Sequence, residues 1–224
     1  MTLDDLSREM LDLFEAKDRA RERSLHLSRR SIRESAAAIR AVHREEFLSA
    51  KQHIEEAGRA LGEVEELLRD HPDVRYAGFV DDAFQEYAEA KIVLSLIKRR
   101  EIPPPVEVGA GLLGYLSGLG DVTGELRRHI LDLIRQGKPE EGEFFLQAME
   151  EIYHLLMLFD YPEAITRGLR RKSDLARSML ERTRGDLANA IGRRRLELQL
   201  EEIEDKLKAA DHQRMSHAIR SGPD

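Results

Sequence analysis

The sequence predicts an all-α fold, a bundle of about six to seven long helices. Three observations carry that expectation. Charged residues make up 35% of the 224 positions, aromatics 5%, and Trp is absent, which is the composition of long solvated helices with Leu/Ile/Ala seams rather than of a β-sandwich. Apolar residues recur at helical intervals over long tracts, and prolines at His71-Pro72, Pro103-Pro104-Pro105, Lys138-Pro139 and Tyr161-Pro162 separate those tracts.

Taken in order, Leu3 to about Ser49 contains no Pro or Gly, and Leu11, Phe14, Leu25, Ile32, Ile39 and Val42 recur at roughly helical spacing. At ~1.5 Å per residue such a helix reaches roughly 70 Å, more than one domain needs, so part of it is expected to pack on another subunit. A second helix runs from about Lys51 to Arg69 and stops before His71-Pro72, because the residue ahead of a proline disfavours helix. A third runs from about Arg75 to Arg100, ended by Pro103-Pro104-Pro105, which fixes an extended connection. The fourth, Gly109 to about Gln136, has Leu112, Leu116, Leu119, Leu126, Ile130 and Leu133 as its core row. Its glycines Gly114, Gly118, Gly120 and Gly124 each cost about 1 kcal/mol of propensity, which close approach of another helix would explain. Gly137-Lys138-Pro139 stops it. A fifth helix with Phe144, Phe145, Met149, Ile152, Leu155, Leu156 and Leu158 is apolar enough to lie centrally. After Asp160-Tyr161-Pro162 a sixth reaches about Ala210. Residues 1–210 are read as one domain, and the polar tail 211–224 as disordered.

Composition also bounds function. The absence of Cys removes disulfides and thiolate metal sites and fits a reducing compartment. No apolar run has the length of a membrane helix, and Met1-Thr2-Leu3-Asp4-Asp5-Leu6 lacks the order of a signal peptide, so a cytoplasmic protein with no membrane partner is expected. The net charge of −7 argues against nucleic-acid binding only as a sum. Arginine is clustered at Arg29-Arg30, Lys98-Arg99-Arg100, Arg170-Arg171-Lys172 and Arg193-Arg194-Arg195, so a basic face can coexist with an acidic exterior. The last of these clusters lies near Glu197, Glu201 and Glu202 and reads as part of a mixed-charge face.

Two carboxylate pairs stand out: Glu86 with Glu89, and Asp121 with Glu125. Spacings of three and four residues place each pair on one helix face, where two helices could meet around a divalent metal. On the third helix Asp82, Glu86, Glu89, Val93 and Ile97 share one row, so the acids continue an apolar stripe, and buried carboxylates require a partner or a metal. Asp121 and Glu125 lie away from the Leu116/Leu126/Ile130 row, and facing water is the competing reading for them. Glu151-Ile152-Tyr153-His154 has the Glu-x-x-His spacing of di-iron bundles, but the second copy is missing, so a ferritin-like oxidase is the weakest reading and His154 is assigned to a core or interface. His129 is read as a surface imidazole, with contact to the acids or to a phosphate as its alternative. The glycines of the fourth helix spell no P-loop.

Several segments in order resemble the translin family: Gln85-Glu86-Tyr87-Ala88-Glu89-Ala90, Gly114 to Arg128, Leu169-Arg170-Arg171-Lys172-Ser173-Asp174-Leu175-Ala176, and, in the first helix, Leu27 to Ser35 and Ala41-Val42-His43-Arg44. The acids match the catalytic branch of that family, translin-associated factor X. The resemblance covers most of residues 20 to 190. It implies an all-helical subunit that assembles into a closed, roughly octameric barrel and cuts single-stranded RNA with Mg²⁺ or Mn²⁺, with Glu86, Glu89, Asp121 and Glu125 as metal-binding catalytic acids. Hard divalent cations prefer carboxylate oxygen, in keeping with that set. Ahead of the third-helix motif only Arg75 matches the family's basic run, so RNA contacts are assigned to Arg75, Arg29, Arg33 and Arg171. A homo-oligomer is the default, single-stranded DNA is a second possible ligand, and a non-catalytic nucleic-acid-binding oligomer like translin is the alternative to the enzyme.

Overall fold

The computed structural model describes residues 2–76 and 78–220, with side chains described as far as residue 210. Helix α1 spans Leu3–His43, α2 Phe47–Leu67, α3 Pro72–Arg75, α4 Phe79–Ile97, α5 Pro105–Val108, α6 Gly111–Arg135, α7 Glu143–Met157, α8 Glu163–Thr166 and α9 Leu169–Arg220, with a 3₁₀ turn at Pro139–Gly142. No strand occurs among the described residues, and no helix there is long and apolar enough to cross a membrane. The all-α expectation stands.

The first predicted helix is shorter than expected, and the third is broken in two. The first ends at His43 because Glu45 takes a left-handed conformation (φ 60), a role usually left to glycine. The Glu46 amide then donates to the Ala41 carbonyl (2.9 Å), which closes α1 and turns α2 back along it. The predicted third helix splits into α3 and α4 at Gly78, whose φ of +98 no helix accommodates. The polar tail expected to be disordered, 211–224, lies outside the residues whose side chains are described, and 221–224 lie outside altogether; the backbone of α9 is described to Arg220.

Helix α1 packs on α2 and α4, α4 packs on α6, and α6 is covered on its remaining sides by α7 and α9. One core joins them, with Leu27, Ile92, Leu119, Leu126, Ile130, Phe145, Met149, Ile152 and Leu187 essentially sealed from solvent. The glycines of α6 are where that packing is tightest. A Cβ on Gly118 would meet Ala88 Cβ at 2.9 Å and the Glu89 backbone nitrogen at 3.0 Å, and one on Gly114 would meet Phe84 Cβ at 3.1 Å. Their propensity cost is thus exchanged for close approach of α4 and α6. Leu112, expected in the core row, is exposed, as are Leu155 on α7 and Leu158 just past its end. Leu11 and Phe14 are also exposed, on the part of α1 that overhangs the rest of the chain.

Candidate active site

The close contact of α4 and α6 brings the two acidic pairs together. Glu89 is 8% exposed, and Glu86, Asp121 and Glu125 are half-buried. Asp82, on the same row of α4, faces solvent. The four inner carboxylates feel one another: burial raises the Glu86 carboxyl above its usual range, and Asp121 and Glu125 raise it further while Lys172 opposes. Glu89 is pushed up to about 9, first by burial and then by Glu86, Asp121 and Glu125. Among the described residues neither Glu86 nor Glu89 has a direct hydrogen-bond or ion-pair partner, and Lys172 opposes their rise only from a distance.

The α6 acids differ. Lys172, near the start of α9, places Nζ at 2.5 and 2.7 Å from the two Asp121 oxygens, and Gln85 Nε2 donates to the same carboxylate at 2.6 Å. The Lys172 stem lies against Gly120, where a Cβ would come within 2.9 Å of it. Glu125 meets His43 Nε2 at 2.5 Å and lies 3.6 Å from Arg128, and the His43 bond holds its carboxyl below the usual range against the opposing effect of burial. His43 comes from the last turn of α1, and its side chain is only 4% exposed. Facing water, the competing reading for Asp121 and Glu125, is thereby replaced: both point inward onto cationic or hydrogen-bonding partners.

His129 is half-buried rather than a surface imidazole. It packs edge-on against Phe145 at 4.5 Å and lies 6.4 Å from the His43 ring, and burial with the neighbouring His43 lowers its basicity. His154 is exposed on α7, which removes the core assignment.

The sequence-assigned arginines stand apart from the acids. Arg75 is held by Asp81 at 3.1 Å and stacks over Phe84 with its guanidinium carbon 4.8 Å from the ring centre. Arg29 and Arg33 are exposed on α1 and Arg171 on α9.

The residues that sequence reasoning left without a role are His43, Lys172 and Gln85. All three lie in the segments that carried the resemblance. No periodicity connects them to the acids, because His43 is 82 positions from Glu125 and Lys172 is 51 from Asp121. Only helix packing makes those pairs.

As a site for a hard divalent cation, the donor chemistry fits: oxygen ligands only, with the Glu86 and Glu89 carboxyls free of any direct cationic partner among the described residues. Among the described residues, no three of the acidic or imidazole side chains converge tightly enough to enclose an ion as they stand. Asp121 and Glu125 turn toward Lys172 and His43 instead.

No protein-family model matches the chain. An uncharacterized protein of Methanocaldococcus jannaschii is 32% identical over 200 residues, covering 87% of each chain. Among solved structures, AfC3PO in complex with duplex RNA is 30% identical with a TM-score of 0.75, covering 87% of this chain and 98% of that one. The apo form of NeC3PO is 27% identical with a TM-score of 0.69, covering 84% and 97%. C3PO is a translin-type complex, and with its fold and sequence shared over nearly the whole length, the chain belongs to the translin family.

Proposed function

We propose that this protein is a Mg²⁺- or Mn²⁺-dependent endoribonuclease that cuts single-stranded RNA within a homo-oligomeric shell, an octamer in the translin manner. The observation that carries this reading is the state of Glu86 and Glu89: two inward carboxylates without a cationic partner, facing a second acidic pair across the α4–α6 contact. An acidic cluster of that kind is costly unless a cation offsets it. Glu86, Glu89, Asp121 and Glu125 would hold the metal. Bound there, it would supply an activated water and neutralise charge on the phosphate.

The chain's own groups do the remaining work. Lys172 and Gln85 fix the Asp121 carboxylate, and His43 fixes Glu125 while keeping it ionised. Glu89, whose carboxyl is pushed up to about 9 by burial, would give up its proton to serve as a ligand beside a bound cation. RNA as the ligand is supported by the duplex RNA bound to AfC3PO, and oligomerisation by the exposed apolar residues Leu11, Phe14, Leu155 and Leu158.

The test is cleavage of an end-labelled, unstructured RNA in Mg²⁺, Mn²⁺ or EDTA, comparing the native chain with Glu86→Ala and Glu125→Gln. Metal-dependent cutting abolished in both variants, with the oligomer unchanged by analytical ultracentrifugation, is the expected result. The second reading is a non-catalytic shell that binds single-stranded RNA or DNA. It is favoured by Asp121 and Glu125 already holding Lys172 and His43. Binding without cutting in any metal would select it.

A further inference from the structure

On the flank of α6 turned toward the end of α1 lies a cleft of about 720 Å³, a size that accommodates a nucleotide-scale ligand. Five arginines line it: Arg40 from α1, Arg44 just past its end, and Arg127, Arg128 and Arg135 from α6, against one lining acid, Asp132. In a chain of net charge −7 such a concentration of guanidinium groups runs against the average surface.

Structural pairing accounts for three of the five. Arg44 makes a bidentate pair with Glu46 at 2.8 and 2.7 Å, Arg127 binds Thr183 at 3.0 Å and Asp186 at 2.8 Å, and Arg135 binds Asp132 at 3.0 Å. Arg128 has only the 3.6 Å approach to Glu125. Arg40 has no carboxylate within ion-pair distance among the described residues, and it is exposed. His43 belongs to both places: it lines the cleft, its Nε2 is on Glu125, and its buried Nδ1 has no partner. The cleft and the acidic cluster therefore share a wall.

We propose that this cleft holds the backbone phosphates of an RNA strand, with Arg40 and Arg128 as the gripping pair, and that it leads the strand past His43 to the acids. Planar guanidinium forks match phosphate oxygens, and one unpaired fork, Arg40, with one only loosely held by Glu125, Arg128, set both affinity and register beside the acids. This assigns the RNA path to residues other than Arg75, Arg29, Arg33 and Arg171. It rests on the nuclease reading only for what happens at the far side of His43.

The experiment is anisotropy titration of a short labelled unstructured RNA onto the full chain in EDTA, over a series of KCl concentrations. Arg40→Ala with Arg128→Ala is compared with the native chain and with a charge-matched control, Arg193→Ala with Arg195→Ala, on the mixed-charge face of α9. The cleft variant is expected to bind about 10-fold more weakly at low salt, with a salt slope shallower by about 1.4, two phosphate contacts at ~0.7 each. The control keeps both, and Arg40→Lys, which retains the charge, keeps the slope. Unchanged affinity and slope in the cleft variant overturn the proposal, as does a native chain that binds no RNA. If binding responds as expected but the native chain cuts in neither Mg²⁺ nor Mn²⁺, the cleft stands and the nuclease reading falls. If the native chain cuts but binding ignores both arginines, the reverse holds.

Discussion

The two acidic pairs share a contact but stand in opposite electrostatic states. On α4, Glu86 and Glu89 are raised by burial and by the neighbouring carboxylates, and Lys172 offsets this only in part. On α6, Asp121 is bound by Lys172 and Gln85, and Glu125 is lowered by His43. Besides Gln85 of α4, the partners of the second pair come from the start of α9 and the end of α1, the helices on either side of the α4–α6 contact. The cluster is half neutralised by the fold itself: Lys172 and Arg128 stand as fixed cations beside the α6 acids, and the α4 acids are left for an added cation to engage.

The largest effect comes from forcing the pairs apart. Gly118→Val places a branched side chain where a Cβ alone would sit 2.9 Å from Ala88 Cβ and from the Gln85 carbonyl oxygen, so α4 and α6 must separate. The expected loss is about 3 kcal/mol, at the upper end for overpacking, because one of the atoms in the way is backbone. Urea unfolding measures it. A loss under about 1 kcal/mol would show that the contact is soft and that the proximity of the pairs is not fixed by it.

This contact marks how far the sequence reached. The four acids were legible because each pair is an i, i+3 or i, i+4 feature of a single helix, and the α6 glycines announced a close approach without naming the helix that approaches. The boundaries at Gly137 and Pro103–Pro105 were legible for the same local reason, since glycine and proline carry their own backbone preferences. The corner at Glu45 was not. A left-handed glutamate has no signal in composition, and the turn is closed by the Ala41 carbonyl and by α2 packing back on α1. His43 was lost with it, because its role depends on α1 ending where it does. The arginine cleft was illegible for a related reason: Arg40 and Arg128 belong to different helices 88 positions apart, and only packing brings them to one cleft.

A middle-sized effect follows from neutralising the uncompensated side. Glu89 has an ordinary value of 4.5 and is pushed up to about 9 in the folded chain. Between those values the native state holds a proton that the unfolded chain has released, so stability falls as pH rises through that window. Glu89→Gln has no proton to lose. In EDTA its stability relative to the native chain should therefore climb from about pH 4.5 and level off above about pH 9. A gain of about 2 kcal/mol at pH 9 is expected, well under the ceiling of roughly 6 kcal/mol that the full shift would set, since the cluster can relax and the amide gains no partner. Denaturant titrations across pH give the curve. A difference that does not vary with pH would mean that Glu89 already ionises normally and that the two pairs are alike.

The smallest effect tests the compensated side. Lys172→Met keeps the stem that packs against Gly120 and removes the cation from Asp121, so that Asp121 joins Glu86 and Glu89 as an uncompensated acid. The pair is about a quarter exposed on each side, which places its contribution between that of a surface ion pair and a buried one; a loss of about 1 kcal/mol in EDTA is expected. Adding Mg²⁺ should then raise the melting temperature of the variant more than that of the native chain, because an ion that binds only the folded state stabilises it in proportion to its affinity, and the vacated charge strengthens that affinity. An equal loss with and without Mg²⁺ would make Lys172 a strut between α6 and α9 rather than a counter-ion. In that case the contrast between the pairs would reflect packing, and the charge left over on α4 would have to be read without reference to its neighbour.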